Sequence, residues 1–228
     1  KVQERYAGVA QNREGGCGCG TGCCSGVLES GTGAEKLGYT REDVSSVPEG
    51  SDMGLGCGNP TALASIRPGE TVLDLGSGGG FDAFLCSKQT GPGGMVIGVD
   101  MTPDMVSKAR KNAASGGYTN VDFRLGEIEN LPVGDRTADL IISNCVINLS
   151  PDKSRVFAES FRVLKPGGRL AISDIVALQP IPESMRHDFA SYTGCVAGAA
   201  TVPDLEAMLA EAGFVEIRVE VKEASRQF

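Results

Sequence analysis

The residues best able to do chemistry in this chain are its eight cysteines: Cys17, Cys19, Cys23, Cys24, Cys57, Cys86, Cys145 and Cys195. With 228 residues the fold can bury roughly 70% of the surface its unfolded chain exposes, so the core needs no disulfide or metal staple and the thiols ask for another role. Cys145 directly follows the apolar run Ile141-Ile142-Ser143-Asn144. That run reads as a strand, so the thiol emerges at a strand's carboxyl end, the edge where open α/β sheets bind ligands. Cys57, in Leu55-Gly56-Cys57-Gly58-Asn59-Pro60, and Cys195, in Thr193-Gly194-Cys195-Val196, both lie in glycine-marked segments able to flank the same edge. Three thiols from three separate elements make a soft, three-coordinate site of the kind soft metals and metalloids select. Arsenic(III) fits, because it binds thiolates as a trigonal pyramid and keeps a lone pair. Zinc is the rival, but its structural sites favour four ligands in short paired spacings, which these three do not have.

The remaining cysteines read differently. Cys86, inside Phe81-Asp82-Ala83-Phe84-Leu85-Cys86, falls on a helix against the sheet and reads as core. Cys17-Gly18-Cys19 and Cys23-Cys24 have the density of a metal site but too much glycine to hold a geometry alone. His187, the only histidine, reads as a structural residue on a helix.

A second source of chemistry is the stretch Val72-Leu73-Asp74-Leu75-Gly76-Ser77-Gly78-Gly79-Gly80-Phe81-Asp82, a strand running through a glycine turn into a helix. Gly76 and Gly78 remove the Cβ atoms that would keep backbone from closing on a bound cofactor. At the end of the next strand Gly98-Val99-Asp100 offers a carboxylate where a ribose diol would lie. Phe81 stands where a dinucleotide fingerprint wants a small residue. Asp74 and Asp82 flank the glycines, and two carboxylates suit a ligand bearing an ammonium and a sulfonium better than one bearing phosphates. S-adenosylmethionine is such a ligand.

These residues need a sheet to position them, and from Thr71 the pattern supplies one: short β-branched runs, glycine turns and helix-length amphipathic stretches in alternation, as in parallel βαβ units. Strands are predicted at Thr71–Leu75, Met95–Val99, Val121–Leu125, Asp139–Ser143, Arg169–Asp174 and Val215–Val221, and helices at Phe81–Lys88, Pro103–Ser115, Lys153–Val163 and Pro203–Glu211. Thr102 and Thr201 are placed to cap helices that carry proline in the first turn. Residues 1–50 form a Cys/Gly-rich N-terminal arm, with Gly15 to Gly33 reading as mobile and Ala34 to Val47 as one or two helical turns ended by Pro48-Glu49-Gly50. Residues 51–175 form the cofactor-binding core, and 176–228 a region covering the arsenic site followed by the last helix and strand. The chain starts at Lys1 without Met, and only six strands fit before Phe228, which reads as truncation.

The composition excludes other classes. A net charge of −8 with scattered Lys and Arg leaves no basic footprint for nucleic acid. No apolar run reaches the ~18–20 residues of a membrane helix, and Lys1 to Gly8 lacks a signal peptide's apolar stretch. The expectation is a cytoplasmic protein with reduced cysteines, free to act as ligands or redox thiols.

Asp74-Leu75-Gly76-Ser77-Gly78, Asp100 and the turn Leu164-Lys165-Pro166-Gly167-Gly168 resemble the motifs of class I S-adenosylmethionine-dependent methyltransferases. The resemblance implies a doubly wound Rossmann-like sheet of seven strands, the last antiparallel. Within that class, Asn144-Cys145-Val146-Ile147-Asn148-Leu149, Gly56-Cys57-Gly58 and Gly194-Cys195 resemble the arsenite methyltransferase family. This implies that Cys57, Cys145 and Cys195 hold arsenic(III), Cys145 and Cys195 most directly, and that the upstream family thiol is Cys23 or Cys24. It also implies cofactor contacts at Asp74, Gly76, Ser77, Gly78, Asp100, Met101, Ile128, Glu129 and Asn144, with Glu129 near the adenine. The expected reaction is attack of the arsenic lone pair on the sulfonium methyl, an encounter made intramolecular by the thiolates and needing no general base. Arsenic then becomes pentavalent, so Cys23 or Cys24 must help supply electrons and leave a disulfide for a reductant such as glutathione or thioredoxin. The substrate is arsenite or thiol-bound arsenic(III). A small-molecule C- or O-methyltransferase and a non-catalytic metalloid-binding protein are the competing readings.

Overall fold

The computed structural model describes residues 2–11, 33–181 and 196–222. Five strands, β1 (Thr71–Leu75), β2 (Met95–Asp100), β3 (Val121–Leu125), β4 (Ala138–Asn144) and β5 (Leu164–Ser173), form one sheet in the order β3-β2-β1-β4-β5 with every neighbouring pair parallel. The described helices are α1 (Val2–Ala10), α2 (Gly33–Lys36), α3 (Arg41–Ser46), α4 (Pro60–Ala64), α5 (Phe81–Thr90), α6 (Pro103–Gly116), α7 (Lys153–Val163) and α8 (Val202–Ala212), with a 3-10 turn at Ile147–Leu149. None is long and apolar enough to cross a membrane.

Apolar side chains on both faces of the central strands require cover on both sides, and the helices supply it. On one face Val72, Val96, Leu140 and Ile142 pack against Ala83, Phe84 and Cys86 of α5 and Val106, Ala109 and Ala113 of α6. On the other, Leu73, Leu75, Ile97, Val99 and Ile141 meet Val156, Phe157 and Val163 of α7, with Leu205, Met208 and Leu209 of α8 behind them. Each fully buried Leu, Ile or Phe contributes about 1.5–3 kcal/mol. Cys86 is fully buried in this layer, as its helical position predicts. The winding reverses between β1 and β4, so the crevice outside their carboxyl ends is the switch point where α/β sheets take ligands.

Two sequence expectations change. Leu164–Gly168 is not a separate turn but the start of β5: Ala138 pairs with Leu164 and Leu140 with Arg169, and the surplus residues bulge out with Gly167 at φ 77. The strand expected at Val215–Val221 is absent. Glu216 sits in the left-handed region at φ 55, which breaks an extended run, Val215 is 82% exposed, and among the described residues no strand pairs with this run. The sheet among the described residues therefore has five strands and not the six read from sequence or the seven that the resemblance implies. Of the two capping threonines, Thr201 accepts the Asp204 N–H, whereas Thr102 makes no side-chain cap bond.

The first fifty residues contain more structure than their composition announces. α1 lies on α6, with Gln3 Nε2 donating to the Met101 carbonyl at 2.9 Å and Gln11 Nε2 to Asp104 Oδ1 at 2.9 Å. Its weak apolar stripe, with only Val9 buried, gave no readable helical period. The turns expected between Ala34 and Val47 are α2 and α3, the latter opened by a Thr40/Asp43 capping box. Ala34 and Tyr39 are buried against Leu85 and Phe81 of α5.

Candidate functional site

The glycine turn after β1 is shaped by what surrounds it. Gly76 N–H and Ser77 N–H both donate to the Val99 carbonyl, at 2.8 and 3.1 Å, and Gly78 N–H donates to Asp100 Oδ2 at 3.0 Å. Asp100 Oδ1 accepts the Thr102 N–H at 2.8 Å, so this acid is oriented by two backbone donors. Gly76 has φ 70, and a Cβ there would lie 2.6 Å from Val146 Cγ2, so position 76 admits no side chain. Val146 follows Cys145, and this contact joins the glycine turn to the thiol-bearing end of β4.

Three acids converge on the turn. Asp74 is 2% exposed and its Oδ2 has no hydrogen-bond partner; burial first, then the charges of Asp82 and Asp100, push its carboxyl well above the usual range. Burial raises Asp100 despite its two backbone donors. Burial also raises Asp82 to about 6, although Tyr39 and Asn144 both donate to it. The buried Ser77 hydroxyl is likewise unpartnered. A crevice with surplus buried acceptors is chemically fitted to a positively charged ligand.

Asn144, the last residue of β4, gathers the next layer. Its Nδ2 lies within donating distance of Gly58 O at 2.9 Å, Asp82 Oδ2 at 3.1 Å and the Tyr39 hydroxyl at 3.1 Å, while its Oδ1 accepts the Cys57 N–H at 3.0 Å. Tyr39 donates to Asp82 Oδ1 at 2.5 Å, and burial together with Asp82 pushes its phenol upward. The Cys57 loop is thus hung on the strand that carries Cys145.

Cys57 and Cys145 are brought side by side: their Cα atoms are 5.5 Å apart and the structure joins them as a disulfide, where the sequence led us to expect free thiols. This spacing allows the bond to form with no backbone movement. Cys145 holds a left-handed backbone at φ 59, fixed by its N–H donating to Ser173 O at 2.8 Å, a conformation that costs a non-glycine residue about 1–3 kcal/mol. Asp174, next after β5, completes the group, with its carboxylate and both Sγ atoms within 4.8 Å of one another. Asn148 Nδ2 and Ile175 N–H donate to Asp174 Oδ1 at 2.9 and 2.8 Å, and Asn148 N–H reaches Oδ2 at 3.3 Å. Burial raises Asp174 to about 6. Gly198 lies so close to Asn148 that a Cβ would run into its carbonyl oxygen.

Of the sequence-predicted residues, Asp74, Gly76, Ser77, Gly78 and Asp100 cluster at the ends of β1 and β2, and Cys57, Asn144 and Cys145 at the end of β4. Met101 is half-buried beside Asp100, with its carbonyl taken by Gln3. Ile128 is buried in the α7-side core, and the Glu129 carboxylate is engaged by the Ser150 hydroxyl. Cys17, Cys19, Cys23, Cys24, His187 and Cys195 lie outside the described residues. Sequence reasoning missed Tyr39, Asn148 and Asp174. Asp174 carried a usable signal, since it ends a strand as Asp100 does.

Comparison with known proteins matches residues 66–213 to the family described as "Methyltransferase domain". An arsenite methyltransferase of Halobacterium salinarum is 55% identical over the whole chain, which spans 60% of that protein. One from Aquipseudomonas alcaligenes is 40% identical over 75% of the chain and 51% of its own length. The chain therefore spans between half and three-fifths of these relatives. The crystal structure of an arsenic(III) S-adenosylmethionine methyltransferase from Chlamydomonas reinhardtii superposes with a TM-score of 0.65 at 35% identity, covering 87% of this chain and 70% of that one.

Proposed function

We propose, from the premise that the chain belongs to the methyltransferase-domain family and within it to the arsenic(III) S-adenosylmethionine methyltransferases, that it methylates trivalent arsenic held on cysteine thiolates, a reaction that serves arsenic detoxification. The observation that carries this reading is the pair Cys57 and Cys145 at the switch point, with Val146 packed on the glycine turn beside them. Two soft ligands and a cation-seeking crevice share one wall.

In this reading Asp74, Gly76, Ser77, Gly78, Asp100, Met101, Ile128 and Glu129 form the cofactor side. Bound there, S-adenosylmethionine supplies an electrophilic methyl group on a sulfonium. Asp74, with its unpartnered Oδ2, and the raised Asp82 and Asp100 gain from a nearby cation, which holds them ionised. Gly76 and Gly78 let backbone approach closely. Asn144 positions Cys57, and Ser173 O fixes Cys145, so that the thiolates hold arsenic with its lone pair toward the crevice; Cys195 is the proposed third ligand. Positioning carries the catalysis, since no proton has to leave a nucleophile that attacks through a lone pair.

The electron balance assigns the other thiols. When the As–C bond forms from the lone pair and the methyl–sulfur bond breaks, arsenic passes from the trivalent to the pentavalent state. Two thiolates return two electrons and become a disulfide, for which Cys23 or Cys24 and a core cysteine are the candidates. A small dithiol protein or glutathione then reopens the bond.

The test is product formation from arsenite, S-adenosylmethionine and a thiol reductant, run beside Cys145→Ser. Methylated arsenic from the parent alone supports the reading. Methyl transfer to an organic acceptor that survives Cys145→Ser overturns it in favour of a C- or O-methyltransferase.

A further inference from the structure

Arsenic(III) accounts for the two sulfurs of the Cys57–Cys145 group but not for the carboxylate beside them. Asp174 sits at the end of β5 with an oxygen within 4.8 Å of both Sγ atoms. It is not swinging free: Asn148 and Ile175 hold Oδ1 with two bonds near 2.9 Å, Oδ2 takes a longer bond from Asn148 N–H, at 3.3 Å, and the Ile147 N–H also faces the carboxylate. One oxygen is thus anchored and the other keeps a lone pair for a ligand. All three residues are half-buried, so an ion can reach them.

We infer that Cys57, Cys145 and Asp174, with the two cysteines reduced, form a mixed sulfur–oxygen site for a borderline divalent cation of the zinc class. The donor types decide this. A hard carboxylate oxygen adds little for a soft thiophilic metalloid, whereas zinc and cobalt(II) accept thiolate and carboxylate together. Zinc–sulfur bonds of about 2.3 Å at a tetrahedral centre put ligand atoms roughly 3.5–3.8 Å apart, a spacing that a group held within 4.8 Å admits once the Cys57–Cys145 bond is reduced. Three protein ligands leave a fourth position for water or a further side chain. The argument against zinc from sequence concerned four-ligand structural sites with short spacings; the fold instead brings two distant cysteines and the carboxylate that follows β5 together, a three-ligand set of the kind zinc sites with an open position use.

Two consequences distinguish this site from a bystander arrangement. The cation and the Cys57–Cys145 disulfide exclude each other, so bound zinc protects both thiols from oxidation. On the arsenic reading above, zinc and arsenite also compete for the same two sulfurs, which makes the cation an inhibitor of methyl transfer.

The experiment titrates cobalt(II) into the reduced chain with Cys17, Cys19, Cys23 and Cys24 replaced by serine, so that only the remaining thiols report. Expected are thiolate-to-cobalt charge-transfer bands with tetrahedral d–d absorption, one ion per chain, displaced by zinc and by arsenite. Asp174→Asn should weaken cobalt binding by at least the roughly tenfold that even an outer-sphere partner is worth, while Asp174→Glu restores part of it. S-adenosylmethionine binding by both variants verifies that they fold. X-ray absorption on the zinc-loaded chain provides a count that needs no variant, and two or three sulfurs with at least one oxygen are expected. A purely sulfur shell, cobalt binding unchanged in a folded Asp174→Asn variant, or no charge-transfer bands would each overturn the inference. Cobalt binding without displacement by arsenite would leave the cation site standing and count against the arsenic reading.

Discussion

The amide oxygen of Asn144 accepts the backbone N–H of Cys57 at 3.0 Å, across 87 residues of sequence. The same side chain donates to Gly58 O and to Asp82, the first-turn acid of α5. One amide therefore fixes the separation between a loop thiol, a strand-end thiol and the cofactor-side helix.

Replacing Asn144 with Ala removes the acceptor for Cys57 N–H and one donor to buried Asp82. Leaving such groups unsatisfied costs about 1–3 kcal/mol each. The expected result is a clear fall in the urea midpoint, together with slower formation of the Cys57–Cys145 disulfide measured by thiol titration. Tyr39→Phe, which removes the 2.5 Å bond to Asp82, should cost about 1–2 kcal/mol and leave disulfide formation nearly unchanged.

Gly76→Ala places a methyl group 2.6 Å from Val146 Cγ2 at a φ of 70. S-adenosylmethionine binding, followed by calorimetry, should fall by tenfold or more, about 1.4 kcal/mol. Adding Val146→Ala opens the space without relieving the backbone, so only partial recovery is expected. Full recovery would mean that the steric clash alone excludes the side chain.

Stability should decline as pH rises from about 4 to about 6 in the ligand-free protein. Asp82 has a folded pKa of about 6, above the ordinary carboxylate value near 3.9. Its protonated form is favoured by folding, so its contribution is complete below the unfolded value and is lost as pH passes the folded one. Asp174, also about 6, acts in the same direction. Asp82→Asn should flatten the denaturation profile in part. S-adenosylmethionine should bind more tightly as pH rises through the same window, because a cation favours the ionised acids.

Cys145 pays for a left-handed backbone that glycine adopts freely. In reducing buffer, Cys145→Gly should melt higher than Cys145→Ala, by about 1 kcal/mol in a thermal or urea comparison. Equal stabilities would show that the strain is relieved elsewhere.

The βαβ units were readable because their apolar runs, glycine turns and caps agree with one another: β1, β3 and α7 have the bounds that the pattern predicts. That Cys57 and Cys145 reach one edge of the sheet was readable for a similar reason, since Cys145 follows a strand and Cys57 sits in a glycine loop; their disulfide was not. Nor were the links between them. Tyr39 lies in a short charged segment with no period, and its burial depends on the floor that α5 provides. Asp174 and Asn148 pair across 26 residues through a contact that no local spacing encodes. Val215–Val221 misled because a β-branched alternation states a preference for extension but cannot provide the neighbouring strand that makes it a ladder.

The docking of α1 on α6 sets a boundary condition on the cysteines that precede the core. Gln11 is fastened to Asp104, and the chain resumes at α2, whose Ala34 is buried against α5. In sequence, Cys17, Cys19, Cys23 and Cys24 fall between these two anchored points. Exchange between one of these cysteines and Cys57 or Cys145 of the same chain is an intramolecular reaction. Its rate should be independent of protein concentration, and dilution, which slows every bimolecular thiol reaction, should leave it untouched.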